Sequence, residues 1–298
     1  MNDHEGCMIL NMLNGIGGLS AWKRRGTQIN TLLEASGSVS AVFEADAASL
    51  VRIGGISETM ADRISRWREF IDLDLELETA KDDGTDILCR TDDEYPDSLR
   101  GLANPPLCLY LRGSLPTDLA VRSIAIVGTR EPTEYGIRMA HSISESAAHR
   151  GWTTVSGLAS GIDTIAHRTT IDAGGKTVAV LGFGVSRLRS SNNFELARDI
   201  LRTGGAVVSE YPMNTEPTRY TLPRRNRIIA GLSGGTLVIE AGETSGALIT
   251  AADAMELGRR VFAVRGEADN PMAAGCDKLI RQGAKPVLEF NDILNDFR

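Results

Sequence analysis

The sequence predicts an α/β protein in which a Rossmann-like, doubly wound, mostly parallel sheet follows a small all-helical N-terminal domain. From Ser123 onward, short apolar runs alternate with amphipathic stretches of helical spacing, which is typical of strands joined by crossover helices. Runs such as 178–181 are apolar at every position, as expected of strands that helices cover on both faces. The first 70 residues show only helical spacing.

Residues 1–70 are predicted to form the helical domain. Apolar side chains recur at helical spacing at Ile29, Leu32 and Leu33, and glycine-rich turns lie at 13–18 and 52–57. Turns of this kind can present backbone N–H groups to a phosphate, as helix-hairpin-helix modules do. Small helical bundles also need glycine turns for structure alone, so both interpretations stay open.

Residues 71–100 are predicted to be an acidic connector. The stretch 69–97 contains 12 Asp or Glu residues and only two basic residues, so we expect a solvated segment. The Rossmann-like domain is predicted at 101–298 and begins with a short strand at 107–111.

The larger domain alternates strands and helices. Strands are predicted at 124–128, 153–156, 177–182, 206–209, 236–240, 261–264 and 286–288. Helices are predicted at 136–149, 162–172, 194–202 and 248–257.

The composition is that of an ordinary globular protein, with 42% hydrophobic and 24% charged residues. No run approaches the roughly 20 apolar residues that span a bilayer, and the acidic N-terminus differs from a signal peptide. We therefore expect a cytoplasmic protein that does not bind membranes. The cysteines have no paired spacing, which predicts neither a disulfide framework nor a zinc site; they are Cys7, Cys89, Cys108 and Cys276.

The net charge of -7 argues against nucleic-acid binding, which depends on neutralising phosphates. The charge is unevenly distributed, however. Residues 1–120 carry 11 basic and 20 acidic side chains, whereas residues 121–298 carry 21 basic and 19 acidic ones. Because local clusters set the field at a surface, the second half can still present a positive face.

Small residues follow several of the predicted strands, at 128–130, 156–163, 209–212 and 240–246. In open parallel sheets, ligands bind outside the carboxyl ends of strands, where backbone amides and helix N-termini attract phosphate. These loops therefore predict an anion site. The first loop lacks Gly-x-Gly-x-x-Gly and the chain lacks a P-loop lysine, so neither a dinucleotide nor a P-loop triphosphate is expected, and no cofactor or metal is predicted.

The stretch 218–233 contains four arginines and no acidic residue, namely Arg219, Arg224, Arg225 and Arg227. Arginine binds phosphate oxygens bidentately, so this cluster, with Arg130 after the first strand, predicts one wall of a phosphate groove. A solvated basic helix face, or ion pairs with Glu210 and Glu240, is the other interpretation. Asp163 and His167 lie four residues apart, but we expect a helix-dipole contact and a packed histidine rather than catalysis.

Four segments of the chain resemble the DNA-processing protein A (DprA/Smf) family: 123–130, 156–167, 222–233 and 240–252. The resemblance covers about residues 100–290, and the N-terminal helices are similar to its SAM-like or helix-hairpin-helix domain. It implies binding and protection of single-stranded DNA and loading of the RecA recombinase during natural transformation, by a homodimer that catalyses no reaction.

The resemblance implies DNA binding at eleven positions. Nine are expected to contact the DNA backbone, namely Gly128, Thr129, Arg130, Ser156, Gly157, Gly161, Arg225, Asn226 and Arg227, and Ser245 and Gly246 are expected to shape the pocket. Arg224 joins this set on charge alone. The loop 184–192 departs from the family pattern and gains Arg187 and Arg189. Because the sequence ends at Arg298, we expect it to lack the C-terminal winged-helix domain that many members carry.

A sensor of a nucleotide derivative, or a phosphoribohydrolase-like enzyme, is the alternative function. Related Rossmann-like folds bind nucleotides at glycine-rich strand ends, and residues 232–236 are similar to the Pro-Gly-Gly-x-Gly-Thr loop of phosphoribohydrolases. The proline of that loop is missing here.

Overall fold

The computed structural model describes residues 1–15, 19–266 and 270–297, with side chains described except at 15 and 19–27. The second part of the turn predicted at 13–18 lies outside the described residues. Internal contacts divide the chain into two compact units. Unit 1 comprises Met1–Leu111, Gly182–Arg187 and Ser209–Arg224, and unit 2 comprises Arg112–Leu181, Leu188–Val208 and Arg225–Arg298. The division predicted at residues 70 and 100 stays a prediction.

Unit 1 begins with helices. They are α1 (Asp3–Gly15), α2 (Leu19–Ser36), α3 (Val39–Glu44), α4 (Ala47–Gly54), α5 (Glu58–Ser65) and α6 (Leu73–Asp82), with a 3₁₀ turn at Trp67–Glu69. Polar caps fix where four of them begin, because each cap side chain accepts a hydrogen bond from an amide of the first turn; the caps are Ser38, Asp46, Ser57 and Asp72. Gly55, with φ of 59°, ends α4.

The segment 71–100, predicted to be a solvated acidic connector, contains regular secondary structure. It contains α6, the strand β1 (Asp86–Cys89) and the helix α7 (Asp97–Arg100). Acidic side chains are used inside this structure: Asp72 caps α6, and Glu76 is buried and accepts a hydrogen bond from the Met213 amide at 2.8 Å. The strand β1 pairs antiparallel with β2 (Cys108–Gly113), which places Cys89 opposite Cys108.

Unit 2 carries a parallel sheet. Its strands are β3 (Ser123–Val127), β4 (Thr153–Ser156), β5 (Thr177–Leu181), β6 (Ala206–Ser209), β7 (Gly235–Val238), β8 (Arg260–Val264) and β9 (Lys285–Val287). Their order is β6-β5-β4-β3-β7-β8-β9, and the pairings β3–β4, β3–β7, β4–β5, β7–β8 and β8–β9 are all parallel. The doubly wound α/β fold predicted from the sequence is confirmed. The strand β9 lies at the end of this order and has Pro286 at its centre.

Helices connect these strands. They are α8 (Glu134–His149), α9 (Ile162–Asp172), α10 (Phe194–Arg202), α11 (Thr221–Arg224, in unit 1), α12 (Asn226–Leu232), α13 (Ala247–Glu256), α14 (Ala274–Arg281) and α15 (Phe290–Leu294), with 3₁₀ turns at Val185–Ser190 and Pro271–Ala273. Ile124, Ile126, Ile143, Phe262 and Phe290 are fully buried or nearly so in one core between sheet and helices. Among the described residues, no helix is both long and apolar enough to cross a membrane.

Candidate nucleic-acid interface

The strand order reverses at β3. The chain winds from β3 through β4 and β5 to β6 on one side, and from β7 through β8 to β9 on the other. In open α/β sheets this reversal creates a crevice outside the carboxyl ends of the two central strands, which are β3 and β7 here. The loops after β3, β4 and β7 meet there. The Thr129 amide donates to the Glu240 carbonyl at 2.8 Å, and the Ile162 amide donates to the Thr129 carbonyl at 3.2 Å.

Two glycines let these loops approach each other. Gly161 has a φ of 81°, and a Cβ atom there would collide with the carbonyl oxygens of Thr129 and Arg130. A Cβ on Gly128 would lie 2.6 Å from the Ile162 side chain and 3.0 Å from the Glu240 carbonyl oxygen. The glycines predicted as phosphate contacts therefore also have a packing role.

Leu158, in the loop after β4, has a φ of 58°, a left-handed conformation rare for residues other than glycine. Its carbonyl accepts a hydrogen bond from the Asn193 side-chain amide at 2.8 Å, and its own side chain is buried. Strained backbone persists only where its surroundings hold it, and it concentrates at functional sites.

A buried pair of opposite charges supports the same loop. The Asp163 carboxylate accepts hydrogen bonds from the amides of Gly157 and Ala159 at 3.1 and 3.3 Å. Burial raises the pKa of Asp163, and the positive charge of Arg225 opposes that rise. Arg225 is only 6% exposed, and its guanidinium donates to the carbonyls of Gly157 and Val180.

Two of the side chains expected to contact phosphate are buried and hydrogen-bonded within unit 2. The Arg225 guanidinium is used inside unit 2 to hold the loop after β4 against β5. The Ser156 hydroxyl, fully buried, donates to the Ile126 carbonyl at 2.7 Å. Both side chains position the loops, and the sequence could not show this because burial of a polar group depends on the folded chain.

His167 is a packed residue, as predicted. It is fully buried, and its Nδ1 atom shares a 2.6 Å hydrogen bond with the Thr177 hydroxyl. Burial lowers the pKa of His167 to about 3, with Arg225 contributing, so the imidazole is neutral near pH 7.

The crevice presents groups suited to anions. Arg130 is exposed, and its guanidinium has no hydrogen bond or ion pair with any residue that the structure describes. The backbone N–H groups of Arg130, Ser160 and Gly161 also have no acceptor within the described part of the chain. The last two precede α9, whose N-terminus adds the positive end of a helix dipole.

The start of α12 and the loop after β7 form the other side of the crevice. The Asn226 side-chain amide donates to the Gly246 carbonyl at 3.2 Å, and the Ser245 hydroxyl accepts from the Ala247 amide at 3.3 Å. Arg227 is half-buried and acts electrostatically on Asp253, whose pKa burial raises to about 6.

Arg224 forms an ion pair within the protein, which was the other interpretation of the arginine cluster at 218–233. It belongs to unit 1, and its Nε atom lies 3.6 Å from the carboxylate of Glu210, which is 3% exposed. Arg187 likewise forms an ion pair with Glu216 at 2.9 Å. The guanidinium of Arg224 or Arg187 would have to break its ion pair in order to bind a phosphate.

Glu240, considered from the sequence only as an ion-pair partner, is a positioning residue. Its buried carboxylate accepts hydrogen bonds from the Thr133 amide at 2.9 Å, the Thr133 hydroxyl at 2.6 Å and the Asn270 side chain at 3.0 Å. Gly136 leaves room for this carboxylate. Thr133 also caps α8 and could have been recognised as the N-cap before that helix.

The segment similar to a phosphoribohydrolase loop does not line the crevice. Residues 232–236 lead into β7 at its amino end, and Ser233 and Thr236 are fully buried. The alternative function therefore loses the motif that suggested it.

Known proteins are similar to this chain over most of its length. A family model described as DNA recombination-mediator protein A matches residues 86–298. The DNA processing protein DprA of Bacillus subtilis is 39% identical over 220 residues, which is 74% of each chain. Protein Smf of Escherichia coli is 43% identical over 204 residues, or 68% of this chain and 54% of that protein.

Two solved structures extend the comparison. DNA processing protein A of Streptococcus pneumoniae superposes with a TM-score of 0.81 at 32% identity, over 100% of this chain and 99% of that one. The Helicobacter pylori protein, whose structure is described for its single-stranded DNA binding mode, gives a TM-score of 0.63 at 25% identity, over 71% and 94%. The crevice motifs, the family match and these relatives agree, and this chain belongs to the DNA recombination-mediator protein A (DprA/Smf) family.

Proposed function

We propose that this protein binds single-stranded DNA in the crevice outside β3 and β7 and catalyses no reaction there. The observation that carries the proposal is the exposed Arg130 guanidinium beside unpaired backbone amides at the switch point of the sheet. Phosphate oxygens accept hydrogen bonds from such groups, and an arginine fork binds them bidentately. The Helicobacter pylori relative, described for single-stranded DNA binding, supports this choice of ligand.

The expected residues take two roles in the proposal. The backbone-contacting group comprises Gly128, Thr129, Arg130, Gly157, Gly161, Asn226 and Arg227, with Ser245 and Gly246 shaping the pocket. The supporting group comprises Ser156, Arg224 and Arg225, whose side chains are bonded within their own units. Because the contacts go to phosphate and backbone, we expect little sequence preference and a strong dependence on salt.

The finer biological role rests on family membership. We propose that the bound strand is protected from nucleases and passed to the RecA recombinase during natural transformation, in the cytoplasm and by a homodimer. A RecA strand-exchange reaction started on DNA coated by single-strand-binding protein tests this step. Faster RecA filament formation with the protein present is expected, and an unchanged rate would remove recombinase loading from the proposal.

Binding itself is tested by fluorescence anisotropy of a labelled oligo-dT over a range of salt concentrations. The variant Arg130→Ala with Arg227→Ala is expected to bind several-fold or more weakly, with a salt slope lower by about one for each lost phosphate contact. Arg202→Ala is the matched control, because Arg202 is 77% exposed in the last turn of α10, before the amino end of β6.

Unchanged binding by the double variant would move the DNA site away from the crevice. Failure of the unaltered protein to bind single strands would reject the proposal as a whole. Release of free base from a nucleoside monophosphate would instead establish the enzymatic alternative.

A further inference from the structure

Three buried cysteines of unit 1 lie together although the sequence separates them. Cys89 and Cys108 are direct partners in the β1–β2 ladder, with their sulfur atoms 3.5 Å apart. The Cys7 thiol, on α1, lies close enough to the Cys89 thiol to interact with it. The spacing of these residues along the chain predicted no metal site, but folding brings the thiols into one cluster.

A histidine and a carboxylate border the same thiols. The His4 Nδ1 atom lies 2.9 Å from the Asp92 carboxylate, which also accepts the Cys89 amide at 2.7 Å. Three potential ligand atoms lie within 4.8 Å of one another, one from each of His4, Cys89 and Asp92. Tetrahedral zinc bond lengths of about 2.0–2.3 Å place ligand atoms about 3.3–3.8 Å apart, so small side-chain movements suffice.

The local structure explains why these side chains converge. His4 and Cys7 are three residues apart on α1 and therefore share a face of that helix. Cys89 and Asp92 are three apart in a turn closed by the hydrogen bond from the Asp92 amide to the Cys89 carbonyl at 2.8 Å. Two pairs of ligands with x-x spacing thus face each other, a pattern that structural zinc sites use.

We propose that His4, Cys7, Cys89 and Asp92 form a closed, four-ligand site for a divalent cation of the zinc class. Thiolate and imidazole ligands select such a borderline ion over magnesium or calcium. The ion replaces the His4–Asp92 hydrogen bond, and each thiol releases one proton on binding. Cys108 stays outside the ligand set and packs against the Cys89 sulfur. A cavity of about 190 Å³ lies beside Cys7 and is also lined by Asp3, Arg90 and Thr91.

The site has a structural role, because its ligands join α1 to the turn after β1 within unit 1. A bound ion stabilises the folded protein in proportion to its affinity and concentration. No group of the DNA crevice takes part, so this inference and the proposed function stand or fall separately.

Cobalt titration of untagged, chelator-treated protein tests the site. We expect one Co²⁺ per chain with thiolate-to-cobalt charge-transfer absorption, displacement by one equivalent of Zn²⁺, and a higher melting temperature with Zn²⁺ than with chelator. Cys89→Ser should weaken binding beyond the about 10–100-fold that loss of an outer-shell partner costs. His4→Ala, at a partly exposed position, should do the same without disturbing the fold.

Cys276→Ser is the matched control, because Cys276 is a buried thiol of unit 2 outside the cluster. It should bind Co²⁺ like the unaltered protein. No charge-transfer absorption in the unaltered protein would overturn the site. Absorption that survives in both Cys89→Ser and His4→Ala, or that disappears in Cys276→Ser, would overturn the assignment of its ligands.

Discussion

Arginines around the crevice divide by burial into those that can meet a ligand and those that hold the protein together. Arg130 is exposed beside open backbone amides, whereas Arg225 is 6% exposed and bonded to two carbonyls. Both lie in motifs that resemble the family, and both are arginines near a strand end. Their different roles follow from the partners that folding gives each guanidinium.

Arg225→Ala should destabilise the protein strongly. The change leaves the Gly157 and Val180 carbonyls without this donor and the buried Asp163 without its nearby positive charge, and breaking a buried charge pair costs about 3–5 kcal/mol. Urea unfolding measures the loss, with Arg202→Ala expected to stay within about 0.5 kcal/mol of the unaltered protein. Unchanged stability together with lost DNA binding would show that Arg225 contacts phosphate directly.

Asp253→Asn should change how stability depends on pH. Burial raises the pKa of Asp253 from 3.8 to about 6, with Glu256 adding to the rise and Arg227 opposing it. The folded state therefore holds this proton more tightly than the unfolded state. This difference in proton binding adds to the free energy of unfolding. The contribution is fully present below about pH 4 and is lost as pH rises to about 6.

Melting temperatures of both proteins between pH 4 and 8 check this expectation. The melting temperature of the unaltered protein should fall relative to that of Asp253→Asn across pH 4–6 and then run parallel to it. Asp172→Asn, at an exposed position of α9, controls for removal of a surface charge. A constant difference between the unaltered protein and Asp253→Asn over the whole range would contradict the raised pKa.

Among the elements, the loop after β4 depends on its close packing against the loop after β3. Gly161→Ala should lower both stability and DNA affinity, because the new methyl group meets the Thr129 and Arg130 carbonyls in addition to the cost of a left-handed backbone. Gly174→Ala is the control, since Gly174 has a φ of 73° with nothing within 4 Å. That change should cost only about 1–2 kcal/mol and leave affinity unchanged.

Fluorescence anisotropy measures the DNA affinity of the two glycine variants, and thermal melting measures their stability. Equal effects of Gly161→Ala and Gly174→Ala on both measurements would mean that contact between the loops does not shape the crevice.

The sequence predicts the ends of several elements well. The strand β4 and the helices α9 and α10 have the predicted bounds, because polar or glycine residues interrupt the apolar pattern at each end. The strand β7 ends two residues before its predicted end, since Ile239 continues the apolar run into the loop.

Other features depend on contacts that a linear pattern does not contain. The acidic composition of the segment that contains α6 and β1 predicted no regular structure there. The side chains of Asp72 and Glu76 nevertheless have defined hydrogen-bond partners. Thiols 82 positions apart, at Cys7 and Cys89, are neighbours only after folding. For the same reason, Arg225 and Glu240 could be placed at the site from the sequence but could not be recognised as supports.

At the scale of the whole molecule, the net charge of -7 repels the phosphates of DNA, so we expect a single crevice to bind a strand weakly. Two crevices in the proposed homodimer would act on one strand with a high effective concentration. Sedimentation velocity should therefore show a species of twice the chain mass, and oligo-dT long enough to reach both crevices should bind more tightly per chain than a short one. A monomer at all concentrations, with no length dependence, would contradict the dimer.

The strand β9 limits how such copies can assemble. A sheet that ends in a long regular strand can recruit another chain by continuing its ladder, and this is a common route to aggregation. Here the last strand has only three residues, and Pro286 at its centre has no N–H to donate. The fold thus closes growth at this edge, so copies of unit 2 are not expected to associate by continuing the ladder at β9.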